Sequence, residues 1–462
     1  MNKAQAIPSD RAPGAASARL AWRALVWRLH FWAALIATPL TVVAVLTGIL
    51  YIFTPQIEAF RYGALEHVAA AGSSRPLDEA VAAARAAAPA GWQLQSVLPP
   101  FATVDTVKVV FEKAVAPAPA HANGNHSDHA PAPAATTGRR PPQQALTVYV
   151  NPYTSEVLGS LRSDARFGNW AKTLHSRLLQ GDGWRWMIEL AASAMMIMLV
   201  SGLLLWWPAS LRQALPNRAV RGRLAWKQWH GVLGAALALL TFVILSTGLT
   251  WSKYAGAQIR TARDLAGQAP PRVPATISSA IPHQQTLLTW QQVWQVTRQR
   301  APAVAVQLTP PRGLSGVWRI NGADPASPTR RFDMLLDAFS GQPLYFSGWD
   351  QQTAFGKATA LGIPFHRGEF GWWNQALLLL FGLGVLFSLV SGWVMCFQRW
   401  QRGGAILPAA PASWRNAMPI AVGTALMSLL IPLAGAIGAA IVALELSIDR
   451  RQRSPSCSER SR

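Results

Sequence analysis

The chain has 462 residues, of which 51% are hydrophobic and only 14% charged, against roughly 25% charged in an ordinary soluble protein. The apolar residues gather into unbroken runs of about 20, enough to cross a hydrocarbon core about 30 Å thick, which excludes an ordinary cytosolic enzyme and points to a multi-span membrane protein. The formal charge of +21 sits largely in short segments flanking those runs, where it orients a chain in a bilayer and argues against a nucleic-acid partner.

Five runs read as spans, at 29–53, 186–207, 229–251, 374–398 and 417–446. Residues 1–28 precede the first, which follows Arg19, Arg23 and Arg28 and closes on Tyr51 and Phe53 without a small-residue cleavage site, as a retained anchor does. The loop 208–228 carries Arg212, Arg218, Arg221, Arg223 and Lys227, the loop 399–416 carries Arg399, Arg402 and Arg415, and neither contains an acid. The positive-inside rule puts both loops and the N-terminus in the cytoplasm. Segments 54–185 and 252–373 hold most of the acidic residues and are expected as folded outer domains, in the periplasm if the cell is Gram-negative. Tryptophans collect near the span ends, as interfacial indoles do. The run 417–446 contains Pro419 and Pro432 and leads to a basic tail at 447–462. Its ample apolar length favours a bent fifth span over a re-entrant hairpin, although a fifth crossing sets the tail arginines outside.

An internal repeat organises the rest. His30 is followed seventeen residues on by Thr47-Gly48, and His230 by Thr247-Gly248 at the same spacing. LTVYVNPYTSEVL (146–158) and FDMLLDAFSGQPL (332–344) then match as strand–turn segments. Phe167-Gly168 and Phe355-Gly356 lead to His175 and His366, each before a span containing Ser201-Gly202 or Ser391-Gly392. Residues 20–400 read as two copies of helix, outer α+β domain, helix. The fold expected is an α-helical multi-span protein with a four-helix core from two repeats, a fifth span, and two outer α+β domains. The small-residue pairs suit close helix approach first, and room for a flat macrocycle second. Residues 114–143, rich in Pro, Ala and His, read as a disordered insertion. Its His121, His126 and His129 are the weaker metal-binding candidates beside a plain solvated linker, and His67 and His283 receive no role.

Four histidines therefore occupy matched span ends: His30 and His230 at the cytoplasmic ends of the first and third spans, His175 and His366 at the outer ends of the second and fourth. Two neutral imidazoles facing each other across a bundle suit axial ligation of haem iron, one haem near each face. Cys396 and Cys457 form no CxxC pair and no CxxCH site, so such haem is held noncovalently. Zinc or copper is disfavoured because no Cys, Asp or Glu completes a compact cluster beside these histidines. Glu189, one turn into the second span, is read as a partner for haem-edge groups, a proton relay, or a snorkelling acid.

WRLHFW and WKQWHG opening the odd spans, LTGILY and STGLTW closing them, VYVNPYTSEVLGS and MLLDAFSGQPLYF as strand–turns, and TLHSRLLQGDGW and PFHRGEFGWW before the even spans resemble the PepSY-associated transmembrane proteins of bacteria. That family includes iron-regulated inner-membrane proteins and ferric-siderophore reductases, and IPLAGAIGAAIVALELSID at 431–449 is similar to the extra C-terminal span of some members. The resemblance implies PepSY-like outer domains, two b-type haems on His30, His230, His175 and His366, and one-electron reduction of a ferric siderophore or other ferric chelate outside the inner membrane. The inner loops hold no GxGxxG fingerprint, so a quinol or a separate cytoplasmic reductase is the expected donor. Rival readings are a non-enzymatic binding or regulatory protein, and a transporter, for which broken helices with polar midplane residues look scarce.

Overall fold

The computed structural model describes residues 15–113, 145–208, 215–405 and 418–453, except 275, 280–285, 303, 314, 323 and 325. His121, His126, His129 and His283 lie outside the described residues, so their proposed and withheld roles have no structural counterpart.

In chain order the elements are α1 (Ala15–Ile52), α2 (Thr54–Glu66), α3 (Leu77–Ala87), β1 (Trp92–Leu98), β2 (Val107–Lys113), β3 (Ala145–Val150), β4 (Val157–Arg162) and α4 (Phe167–Arg177). Next come α5 (Arg185–Trp206), α6 (Arg223–Ala236), α7 (Ala238–Leu249), α8 (Ala255–Leu265) and α9 (Trp290–Arg300). The chain continues through β5 (Val306–Thr309), β6 (Trp318–Gly322), β7 (Asp333–Leu336), β8 (Pro343–Ser347), α10 (Ala354–Arg367), α11 (Trp372–Gln401), α12 (Met418–Leu430) and α13 (Pro432–Arg453). They divide into a helical unit, Met1–Leu50, Thr173–Ala266 and Ala376–Arg462, and a sheet unit, Tyr51–Lys172 and Gly267–Gln375.

Among the described residues, three stretches are long and apolar enough to cross a membrane: Trp22–Ile52, Asp182–Trp206 and Trp372–Gln401. The third expected span, 229–251, is broken instead: α6 and α7 meet at Leu237 with a bend of 56°. The stretch 417–446 is not one continuous helix. It breaks at Ile431, where Pro432 opens α13, because a proline has no N–H to continue the ladder but is well placed in a first helical turn. α12 and α13 then fold back on each other, with Gly435 against Ser428 and Gly438 against Thr424, so close that a Cβ at either glycine would overlap its neighbour's side chain. The stretch is thus a helical hairpin, the alternative to the bent fifth span. α13 packs into the bundle through an alanine seam in which Ala33 and Ala37 of α1, Ala194 of α5 and Ala434 are all fully buried, since residues this small let helix backbones approach closely.

The sheet unit corrects the expectation of two separate outer domains. Both outer segments contribute to one eight-stranded antiparallel sheet, ordered β4-β3-β2-β1-β5-β6-β7-β8. The order is symmetric about the β1–β5 seam, where Val97 pairs with Leu308. Burial alternates along β2, with Val107, Val109 and Phe111 turned inward, the period of two expected of a sheet with one face packed. α3 and α9 supply the cover, and Leu77, Val81, Val293 and Trp294 join Phe111, Leu308 and Ile320 in a single core. The Asp78 carboxylate on α3 accepts from the backbone N–H groups of Trp290 and Gln291, at 3.0 Å each. It thus caps the first turn of a helix more than two hundred residues away.

Candidate functional site

The repeat-matched histidines of the helical unit share one local design. His30 on α1 meets Ser201 of α5, with Nδ1 3.0 Å from the hydroxyl oxygen. His230 on α6 meets Ser391 of α11 at 2.8 Å, again through Nδ1. His175 on α4 meets Thr47 of α1 at 3.0 Å through the same nitrogen. In each case a glycine follows the hydroxyl residue, and the imidazole lies against it. A Cβ added at Gly202 would stand 3.2 Å from His30 Cε1, one at Gly48 3.4 Å from His175 Cε1, and one at Gly392 3.8 Å from His230 Cε1. Three of the four small-residue pairs therefore seat imidazoles, a use the sequence alone did not assign them.

His30 and His230 come together, with ring centres 6.3 Å apart and planes at 90°. Both Nδ1 atoms are engaged by hydroxyls, which leaves Nε2 on each ring as the nitrogen for a ligand. A metal bound about 2 Å from one nitrogen of each ring would hold two ring centres about 6 Å apart, so the spacing would let both rings reach one iron. Among the described residues no group of three or more His, Cys, Asp or Glu side chains gathers.

A small cleft of about 20 Å³ lies beside His175, lined by Leu40, Val43, Ala44, Leu178 and Ile188. The chain leaves α4 through Leu178 and Leu179, both left-handed at φ 51° and 61°, a conformation costly for side chains of this kind. His366 lies partly buried near the end of α10, in the sheet unit, one residue before Arg367 closes the helix.

Glu189 has a use that none of its three readings from the sequence named. It is 1% exposed and accepts from the backbone N–H groups of Tyr254 and Ala255 at 2.9 and 2.6 Å, which makes it the cap of α8. Near His30 the structure adds an ion pair absent from the sequence reading. Arg28 Nη2 lies 2.6 Å from Glu445 Oε2, Arg28 Nε donates to Oε1 at 2.9 Å, and Trp32 Nε1 donates to the same oxygen. Sequence offers one signal for it: Glu445 is an acid inside an apolar run, and such an acid needs a partner.

Membrane-length helices, a broken helix pair and an antiparallel sheet drawn from both extramembrane segments define a multi-pass membrane protein carrying an extramembrane sheet domain. The chain belongs to the PepSY-associated TM region family, whose model matches residues 27–399. A search of the curated proteins returns no match. The α12–α13 hairpin lies wholly beyond the matched residues.

Proposed function

We propose that this protein is a haem-dependent electron-transfer protein of the bacterial inner membrane, with a cytoplasmic N-terminus, that reduces ferric chelates such as ferric siderophores at the periplasmic face for iron acquisition. The carrying observation is the His30–His230 pair, two imidazoles 6.3 Å apart with Nδ1 held by Ser201 and Ser391. These two histidines would hold one b-type haem, and His175 and His366, on the sequence pattern, a second. Bound haem would supply one-electron redox chemistry. The chain's own contribution is to present two imidazole nitrogens at fixed spacing; with both bound, the group would serve electron transfer rather than bond-making chemistry. A quinol or a separate cytoplasmic reductase gives up electrons on the inner side. The chelated Fe(III) gains one on the outer side, and the resulting Fe(II) is held less tightly by hard oxygen donors.

The test is the purified protein in detergent, with oxidised and dithionite-reduced spectra and a pyridine haemochrome count. Two b-type haems are expected, one lost in His30→Ala or His230→Ala and the other in His175→Ala or His366→Ala. Protein made with ample haem yet containing none would overturn the proposal and favour a PepSY binding or regulatory protein instead.

A further inference from the structure

The hydroxyls that meet the histidines decide which imidazole nitrogen carries the proton. Thr47 gives its own proton to the Val43 carbonyl at 2.7 Å, Ser201 to that of Ile197 at 2.6 Å, and Ser391 to that of Ser388 at 2.9 Å. Each oxygen is thereby left with only lone pairs to offer the ring, so the proton in the contact comes from Nδ1. His230 carries independent support: its Nδ1 also lies 3.0 Å from the Ser388 carbonyl oxygen, which can only accept. A neutral imidazole protonated at Nδ1 has its free lone pair on Nε2, the nitrogen the two-haem reading needs.

We propose that Thr47, Ser201 and Ser391 are positioning residues: they lock His175, His30 and His230 in the Nδ1–H tautomer and set how strongly Nε2 donates to iron. This deepens the proposed function and rests on it. An Nδ1–H donated to an acceptor pushes electron density toward Nε2 and makes it a more basic ligand, which favours the ferric state. Because each hydroxyl is itself polarised by donating to a carbonyl, the two bonds of the chain strengthen one another. The glycine after each hydroxyl completes the seat, since it lets the ring lie against the helix that holds it.

The experiment is a spectroscopic redox titration of the purified full-length protein with Ser201→Ala, Ser391→Ala and Thr47→Val. Ser201→Ala raises the midpoint potential of one haem and leaves the other unmoved; Ser391→Ala, on a different helix, moves the same haem by less, because the Ser388 carbonyl still accepts from His230 Nδ1. Thr47→Val raises the potential of the other haem alone, while Thr47→Ser, which keeps the hydroxyl, stays at the wild-type value. Haem affinity at the altered site falls by roughly 10–100-fold. A second measurement needs no cofactor: nitrogen-15 NMR of histidine-labelled, haem-free protein shows Nδ1–H imidazoles in wild type and a mixture of tautomers at the affected ring in Ser201→Ala and Thr47→Val, while His230 in Ser391→Ala keeps Nδ1–H through the Ser388 carbonyl. Unshifted potentials in fully loaded variants, or wild-type imidazoles protonated at Nε2, overturn the proposal. Wild-type protein that never takes up haem overturns the two-haem reading instead, and the NMR result then decides the tautomer lock alone.

Discussion

Glu445 reaches Arg28 across 417 positions of sequence and closes a two-point ion pair with side chains only 4% and 5% exposed. Removing one partner of such a pair strands a buried charge, at a cost of about 3–5 kcal/mol, whereas replacing both with apolar residues of similar size is often neutral. Glu445→Ala is therefore expected to lower the thermal stability of the detergent-solubilised protein sharply, and Arg28→Met combined with Glu445→Leu to restore most of it. A double variant as unstable as the single one would show that the ion pair itself, and not the stranded charge, carries the stability.

Glu189 offers a comparison within the same unit. Glu189→Ala leaves the buried N–H groups of Tyr254 and Ala255 without their acceptor, at a cost of about 1–3 kcal/mol for each group. Hydrogen exchange at α8 is expected to accelerate while haem content and potentials hold steady. Loss of haem with α8 still protected would return Glu189 to the cofactor role that its structure argues against.

The three glycines beside the imidazoles predict a graded series. With distances from an added Cβ to the ring of 3.2, 3.4 and 3.8 Å, Gly202→Ala should disturb haem retention most, Gly48→Ala less, and Gly392→Ala least. Haem-to-protein ratios after equal washing rank the three. Equal retention in all would mean that the rings move freely enough to make the seats unimportant.

In the sheet unit, burial pushes the Asp333 carboxyl above the usual carboxylate range, against the pull of Asn321, Arg319 and Arg331. A folded-state value above the unfolded one means that the folded protein holds the proton more tightly. Its contribution to stability is then present below the unfolded value and is lost as pH rises through the folded value. Unfolding midpoints measured against pH should rise on acidification through that window, and less steeply in Asp333→Asn. Parallel profiles for the two proteins would remove Asp333 as the source.

Much of this molecule was legible in the chain, because bilayer thickness imposes a run length that hydropathy reveals directly, and because His30, His175, His230 and His366 recur at matched positions. The Thr-Gly and Ser-Gly pairs were visible as well. Their use was not, since a hydroxyl's partner on another helix depends on helix rotation, which spacing alone leaves open. The hairpin at Ile431 and Pro432 escaped for a related reason: apolar length is the same for one long helix and two short ones, and only the fit of Gly435 against Ser428 and Gly438 against Thr424 distinguishes them. Fusion of the two outer segments rests on the pairing of Val97 with Leu308 and the reach of Asp78 to α9, contacts too distant in sequence to leave a local pattern.

The shared sheet also fixes a parity. Since β4 and β5 belong to one sheet, Arg162 and Val306 stand on the same side of the bilayer, and the chain between them must cross it an even number of times. α5 accounts for one crossing. With α5 as that crossing, the kinked α6–α7 pair, long and apolar enough to span only if its two halves, bent by 56°, count as one, is the candidate for the other. Membrane insertion and assembly of the sheet become one event: a chain that inserted α5 but failed to thread α6–α7 would strand β1–β4 and β5–β8 on opposite sides, each with an unpaired edge at the seam.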